Sequence, residues 1–187
     1  MRITAARGSY ASFHLSAKVE RPQACQLSLR FPLPADLYRE WFHFNAPDGK
    51  YYPDALIPVK SPYPFQIPDA ENRIPGQSSQ GFWVDLWIPP SAKAQVYRGT
   101  VELSSGSERK VIAIELSVLS AVVPAEDAVT LDGNSYGTSW LSAQYPQTLR
   151  SGGGDQLIRL IHAYHRIFYD HRGTFHQLGY GHAQGRA

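Results

Sequence analysis

Apolar and polar residues alternate strictly over several short stretches of this chain. Phe13, Leu15, Ala17 and Val19 are separated by His14, Ser16, Lys18 and Glu20, a period of two that gives a strand one buried and one solvated face. Cys25, Leu27, Leu29 and Phe31 repeat the pattern against Gln26, Ser28 and Arg30. A third run covers about Tyr38 to Phe44 and stops at the turn signal Pro47-Asp48-Gly49. From Tyr51 to Pro68 the chain is punctuated by Pro53, Pro58, Pro62, Pro64 and Pro68, which excludes a central strand there. Alternation returns at Phe82, Val84, Leu86 and Ile88 and is closed by Pro89-Pro90. Two further strands, about Val96 to Leu103 and Lys110 to Leu119, flank Ser104-Ser105-Gly106-Ser107, a hairpin signal. Six or seven short strands without a helical period predict a mainly β fold. Its expected form is two antiparallel sheets packed face to face, an immunoglobulin-like β-sandwich over residues 1–124.

The character changes over residues 125–187. Ala128 to Leu131 reads as a short strand. After Pro146 and the run Ser151-Gly152-Gly153-Gly154, Leu157, Leu160, Ile161, Tyr164, Ile167 and Phe168 recur at helical spacing. Asp155 stands where an N-cap belongs and Gly173 where the helix should end. Thr174 to Tyr180 can form another strand. Strand, helix, strand makes a βαβ unit, with its strands expected parallel. Two strands and one helix cannot bury a core of their own, so this part reads as unfinished.

Composition narrows the possible functions. The 187 residues are 43% hydrophobic and 18% charged, below the usual ~25% charged. The 15 Gly and 14 Pro are spread along the chain, as turns between strands require. A net charge of +2 without a Lys/Arg block argues against a nucleic-acid partner. No apolar run is long enough to span a membrane, and no signal peptide opens this chain. Cys25 is alone, which excludes an internal disulfide and a Cys-based zinc site; it reads as a small core residue. A complete (β/α)8 barrel needs ~200 residues or more, beyond this length.

Three constellations could carry chemistry. Gly133-Asn134-Ser135-Tyr136-Gly137 fits the G-x-S-x-G nucleophile elbow, with Asp155 or Asp170 and His176 or His182 following in the right order. The elbow needs a helix directly after the serine, whereas Thr138 to Pro146 shows little helical period. A glycine-rich exit from a strand is the simpler reading. His162 and His165 share one helix face, but no Glu completes an H-E-x-x-H pattern and Arg159, Arg166 and Asp170 accompany them. A solvated helix face accounts for them, and neither a metal site nor a cofactor is expected. Trp83 and Trp87 lie opposite the core-facing positions of their strand. They suit a sugar-stacking surface or the contact surface of an adjoining layer. Asn134, Tyr136 and Trp140 follow the first strand of the βαβ unit, while Tyr180 and His182 follow the second. In a barrel these positions form the C-terminal rim, where barrel enzymes keep their sites; otherwise they are loop residues packing locally.

Several segments together resemble the N-terminal sandwich of glycoside hydrolase family 123. Ala6-Arg7-Gly8-Ser9-Tyr10-Ala11-Ser12-Phe13-His14-Leu15 is similar to the family's A-R-N-E-Y-E-S-F-Q-L opening, departing at Gly8, Ser9 and His14 among others. Tyr52-Pro53-Asp54-Ala55-Leu56-Ile57-Pro58 resembles its P-D-P-L-L-P segment. Gly76-Gln77, then Phe82 through Pro89, then Tyr97-Arg98-Gly99-Thr100-Val101 resemble its G-Q-x-x-x-x-W-V-D-V-x-V-P … Y-x-G-x-V run. These motifs keep their order over about residues 5–124. The stretch Leu119 to Pro124 ends like the family's last sandwich strand, which leads into a catalytic barrel. On this resemblance, residues 125–187 are the start of a (β/α)8 barrel.

The resemblance implies a β-N-acetylgalactosaminidase-like hydrolase or a related barrel protein, exported in its full-length form. Such enzymes use an adjacent Asp-Glu pair on a later barrel strand, the Asp orienting the substrate's acetamido nucleophile and the Glu acting as general acid. No Asp-Glu dipeptide occurs here, and Glu126-Asp127 has the reverse order. No catalytic residue carries over. The expected function is a non-catalytic N-terminal portion of a carbohydrate-active protein, with carbohydrate as ligand. The alternative is a carbohydrate-binding or assembly-forming surface module, which meets a further protein chain or itself through exposed strand edges.

Overall fold

The computed structural model describes residues 1–125, 131–135, 139–149 and 152–177. The chain divides into two compact units, Met1–Val123 and Pro124–Ala187. The first is built from nine strands: β1 Arg2–Arg7, β2 Ser9–Lys18, β3 Gln23–Arg30, β4 Ala35–Asn45, β5 Lys50–Val59, β6 Tyr63–Ile67, β7 Ser79–Ile88, β8 Val96–Ser105 and β9 Glu108–Val122. They form a five-stranded sheet in the order β1-β9-β8-β3-β6 and a four-stranded sheet in the order β2-β7-β4-β5. The alternating segments all become strands, because period two is the pattern a half-buried strand requires.

Both sheets contribute to a single apolar core. Ala11, Phe13 and Ala17 of β2, Leu37 of β4, and Phe82, Val84, Leu86 and Ile88 of β7 face Cys25 and Leu27 of β3, Phe65 and Ile67 of β6, Val101 of β8, and Ile114, Leu116 and Val118 of β9. Phe65 meets Phe82 edge to face, with ring centroids 4.9 Å apart, an arrangement worth about 0.5–1.5 kcal/mol beyond area burial. Cys25 is buried as a free thiol.

Two features differ from the sequence reading. Nine strands replace six or seven, since Arg2–Arg7 and two segments of the proline-rich stretch are also strands. β5 holds Pro53 and Pro58, β6 holds Pro64, and each is the last strand of its sheet. Proline lacks a ladder donor and is tolerated at an edge, so the exclusion of a central strand stands while strands as such were not excluded. The five-stranded sheet is also not wholly antiparallel, because β1 runs parallel to β9. Gly8 makes that placement compatible with the start of β2. It has φ of 70°, and a Cβ there would lie 2.5 Å from the Val123 carbonyl oxygen. Only glycine combines a left-handed backbone with so close an approach.

A polar network ties the 69–80 segment to β4. The guanidinium of the buried Arg39 donates from Nη1 to Asp69 Oδ2 at 2.7 Å and from Nη2 to Glu71 Oε2 at 3.0 Å. It also stacks over Trp41, 5.3 Å from the ring centroid. Burial opposes its charge, but the Glu71 hydrogen bond and the Asp69 charge outweigh burial and raise its pKa above the ordinary value. Asn72 exchanges two hydrogen bonds with the Phe42 backbone, and Gln80 Nε2 donates to the Glu40 carbonyl at 2.8 Å.

In the second unit, β10 Leu131–Ser135 pairs in parallel with β11 Gly173–Gln177. Between them lie α1 Ser139–Gln144, a 3-10 turn at Pro146–Leu149, and α2 Gly154–Asp170. The βαβ arrangement is present with shifted details. β10 begins at Leu131, and a short helix forms at 139–144 where little helical period is visible. The cap of α2 is Gly153, with Asp155 in the first turn. Arg172, not Gly173, takes the left-handed conformation after the helix, with φ of 61°. No residue of α2 is buried, and Ile158, Ile167 and Tyr169 are exposed.

Candidate functional site

The alternation that sends Phe82, Val84, Leu86 and Ile88 into the core sends Trp83, Asp85 and Trp87 to the outer face of the four-stranded sheet. Registry then fixes their neighbours. Tyr10 of β2 pairs with Trp87, Ser12 with Asp85, and His14 with Trp83. On the other side of β7, Asp36 of β4 pairs with Asp85 and Tyr38 with Trp83. Side chains directly opposite one another stand ~4.5–5.5 Å apart at Cβ, so these pairings build a continuous surface of aromatic rings and carboxylates.

Within that surface the contacts are specific. The Tyr10 and Trp87 ring centroids are 4.8 Å apart, with planes inclined at 44°. Ser12 Oγ donates to Asp85 Oδ1 at 2.5 Å, and Trp83 Nε1 donates to the same oxygen at 2.7 Å. The carboxylate thus pins the indole and leaves its ring only partly covered. Burial, then the charges of Asp36 and Asp85 and the nearby Tyr10, push the Tyr38 phenol above its ordinary pKa. Asp36 directly opposite Asp85 is a like-charge pair that costs a sheet stability. Such a pair, beside half-covered aromatic rings, suits a ligand with apolar C–H faces and several hydroxyl donors.

His14 and Glu40 extend the surface: His14 Nε2 lies 3.1 Å from Glu40 Oε1. The sequence pattern puts His14 on the solvated side of its strand and Glu40 within the run from Tyr38 to Phe44, and nothing in it joins them. Gly81 was the available signal, since a glycine inside a strand marks a close approach.

Of the proposed barrel-rim residues, Tyr136, Tyr180 and His182 lie outside the described residues. Asn134 sits in β10, paired in register with His176, and Trp140 is in the first turn of α1. Ser135 is the last residue of β10, paired with Gln177, and the next described helix begins at Ser139. The candidate partner Asp170 is instead bound to Arg166 on α2, 2.9 Å away. His162 and His165 are on the exposed side of α2. Among the described residues, no three His, Cys, Asp or Glu side chains gather as a metal site would require. No described helix is long and apolar enough to cross a membrane.

No protein-family model matches the chain, and no curated protein matches it. Among solved structures, the chain is similar to a family 123 glycoside hydrolase from Clostridium perfringens, described for glycolipid glycan hydrolysis. The TM-score is 0.68 at 12% identity, covering 92% of this chain and 32% of that one. It is also similar to PapD-like domain 7 of human CEP192, with a TM-score of 0.32 at 14% identity over 66% of this chain and 82% of that domain. A third likeness is to the CooA pilin subunit of enterotoxigenic Escherichia coli, with a TM-score of 0.29 at 10% identity over 66% of this chain and 90% of the pilin. Neither of the last two carries weight at such scores. The first shows a shared fold, and this chain spans about a third of that enzyme's length, 32%.

Proposed function

We propose that this chain is the N-terminal portion of a glycoside-hydrolase-like, carbohydrate-active protein and is not catalytic by itself. On this reading residues 1–124 are an immunoglobulin-like sandwich and residues 125–187 the opening of a (β/α)8 barrel. The observation that carries the reading is the likeness to the family 123 enzyme across 92% of this chain. The uncovered helix α2, with Ile158 and Ile167 exposed, supports it too, because a barrel helix is normally flanked by neighbours. Asn134, Tyr136, Trp140, Tyr180 and His182 are then rim residues of that barrel, and the full-length form is exported. Trp83 and Trp87 belong to a carbohydrate-contacting surface. The Asp-Glu dipeptide expected from the family resemblance does not occur in this sequence, which supports the non-catalytic reading.

The test is turnover. The purified chain should not hydrolyse aryl N-acetylhexosaminides, and residues 128–187 should exchange amide hydrogens fastest. Sustained hydrolysis by the chain alone would overturn the reading.

A second reading, an assembly-forming module, is favoured by one observation. Among the described residues, β10 and β11 form a two-stranded sheet with both outer edges unpaired, and open edges recruit further strands. Sedimentation at rising concentration should then show self-association; a monomer throughout rules it out.

A further inference from the structure

At the Trp83 end of the aromatic surface the outer face dips into a pocket of about 280 Å³, just below the ~300–1,000 Å³ of ligand clefts. Glu40 lines it together with His14, Gly81 and Trp83. β4 directs the Glu40 side chain outward and across Gly81 of β7, where a Cβ would lie 1.8 Å from Oε2. From behind, Gln80 Nε2 holds the Glu40 carbonyl, so backbone and side chain are fixed on opposite sides. The Glu40 side chain is 9% exposed, against 50% for its partner His14. Trp83, Phe42 and Pro53 supply the apolar walls.

A carboxylate offers about four acceptor positions, and burial makes poorly matched ones expensive. His14 Nε2 already stands 3.1 Å from Oε1, so a ligand that takes that oxygen would compete with it. A neutral polyol would add donors without displacing it.

We propose that Glu40, His14 and Trp83 form a subsite for a single neutral pyranose ring. The sugar's hydroxyls donate to the Glu40 carboxylate, and its C–H face packs on the exposed part of the Trp83 ring. Gly81 is a positioning residue: it gives Glu40 the space to lie flat. The subsite deepens the carbohydrate reading above and rests on it for the ligand class.

The probes are methyl β-glucopyranoside and methyl β-galactopyranoside, titrated into the whole 187-residue chain while following the Trp83 indole N–H resonance. Binding of one of them with a millimolar Kd is expected. Glu40→Gln should weaken it by roughly tenfold or more, the scale of a hydrogen bond to a charged group. Gly81→Ala keeps every polar group but displaces the carboxylate, and should weaken binding to a similar degree with an unchanged circular dichroism spectrum. Arg98→Ala, on the opposite sheet, should leave binding as it is. The proposal is overturned if neither sugar moves the resonance, if both variants bind as well as the parent, or if tetramethylammonium alone binds. Those outcomes leave the N-terminal-portion reading intact, because that reading falls only on turnover by this chain.

Discussion

The outer faces of the two sheets of the first unit are made by the same backbone rule and yet differ in kind. On the five-stranded sheet the outward positions form ion pairs. Glu115 lies between Arg98, at 3.1 Å, and Arg2, at 3.9 Å, and Arg109 pairs with Glu102. On the four-stranded sheet the outward positions hold Tyr10, Trp83, Trp87 and Tyr38, interleaved with Asp36, Asp85 and Glu40. The first face is matched charge against charge, as a surface in water can be at little cost. The second sets like charges opposite each other and leaves rings partly bare. A face that gives up stability in this way is the better place to look for binding.

The comparison can be broken most forcefully at the core beneath both faces. Phe82 is fully buried and touches Tyr63 and Phe65. Phe82→Ala should cost about 3–5 kcal/mol, seen as a lower midpoint in chemical denaturation. The signals of both sheets should shift together if one core serves both.

A smaller effect should differ in sign between the faces. Asp36→Asn relieves the pairing with Asp85 and should stabilise the fold by roughly 0.2–1 kcal/mol, the scale of one cross-strand pair. Arg98→Ala removes a favourable partner of Glu115 and should destabilise it by at most ~1 kcal/mol. Equal signs in denaturant melts would show that the two faces are electrostatically alike.

The smallest effect is on titration. Burial is the first cause of the raised Tyr38 pKa, with Asp36 and Asp85 after it. Asp85→Asn should therefore bring the phenol only part of the way back toward its ordinary value, followed by ultraviolet titration. A raised folded pKa means that this tyrosine's contribution to stability is complete below the ordinary phenol range. The contribution is lost as pH climbs through the folded value.

Much of the first unit was legible because its strands are half buried. The alternation at Phe13–Val19, Cys25–Phe31 and Phe82–Ile88 specified which residues face the core, and it placed Trp83 and Trp87 on the far side. The second unit was less legible. Its helix shows periodic apolar residues, but the cap is Gly153 where the sequence pattern puts Asp155, and the helix ends at Asp170, ahead of Gly173, with Arg172 left-handed. Element ends depend on local backbone geometry that side-chain pattern does not encode. β1 left little trace because a six-residue edge strand buries few side chains.

The sequence by itself determined strand faces, the exclusion of a central strand from the proline-bearing stretch, and the lack of an Asp-Glu pair. Period two is a property of one strand, and proline's missing donor is a property of one residue, so neither waits on the fold. Only the tertiary structure decided who stands next to whom. It set Asp36 against Asp85, ran β1 parallel to β9, and brought His14 to Glu40 above Gly81. Those relations depend on strand order and register, which arise from packing segments far apart in the chain.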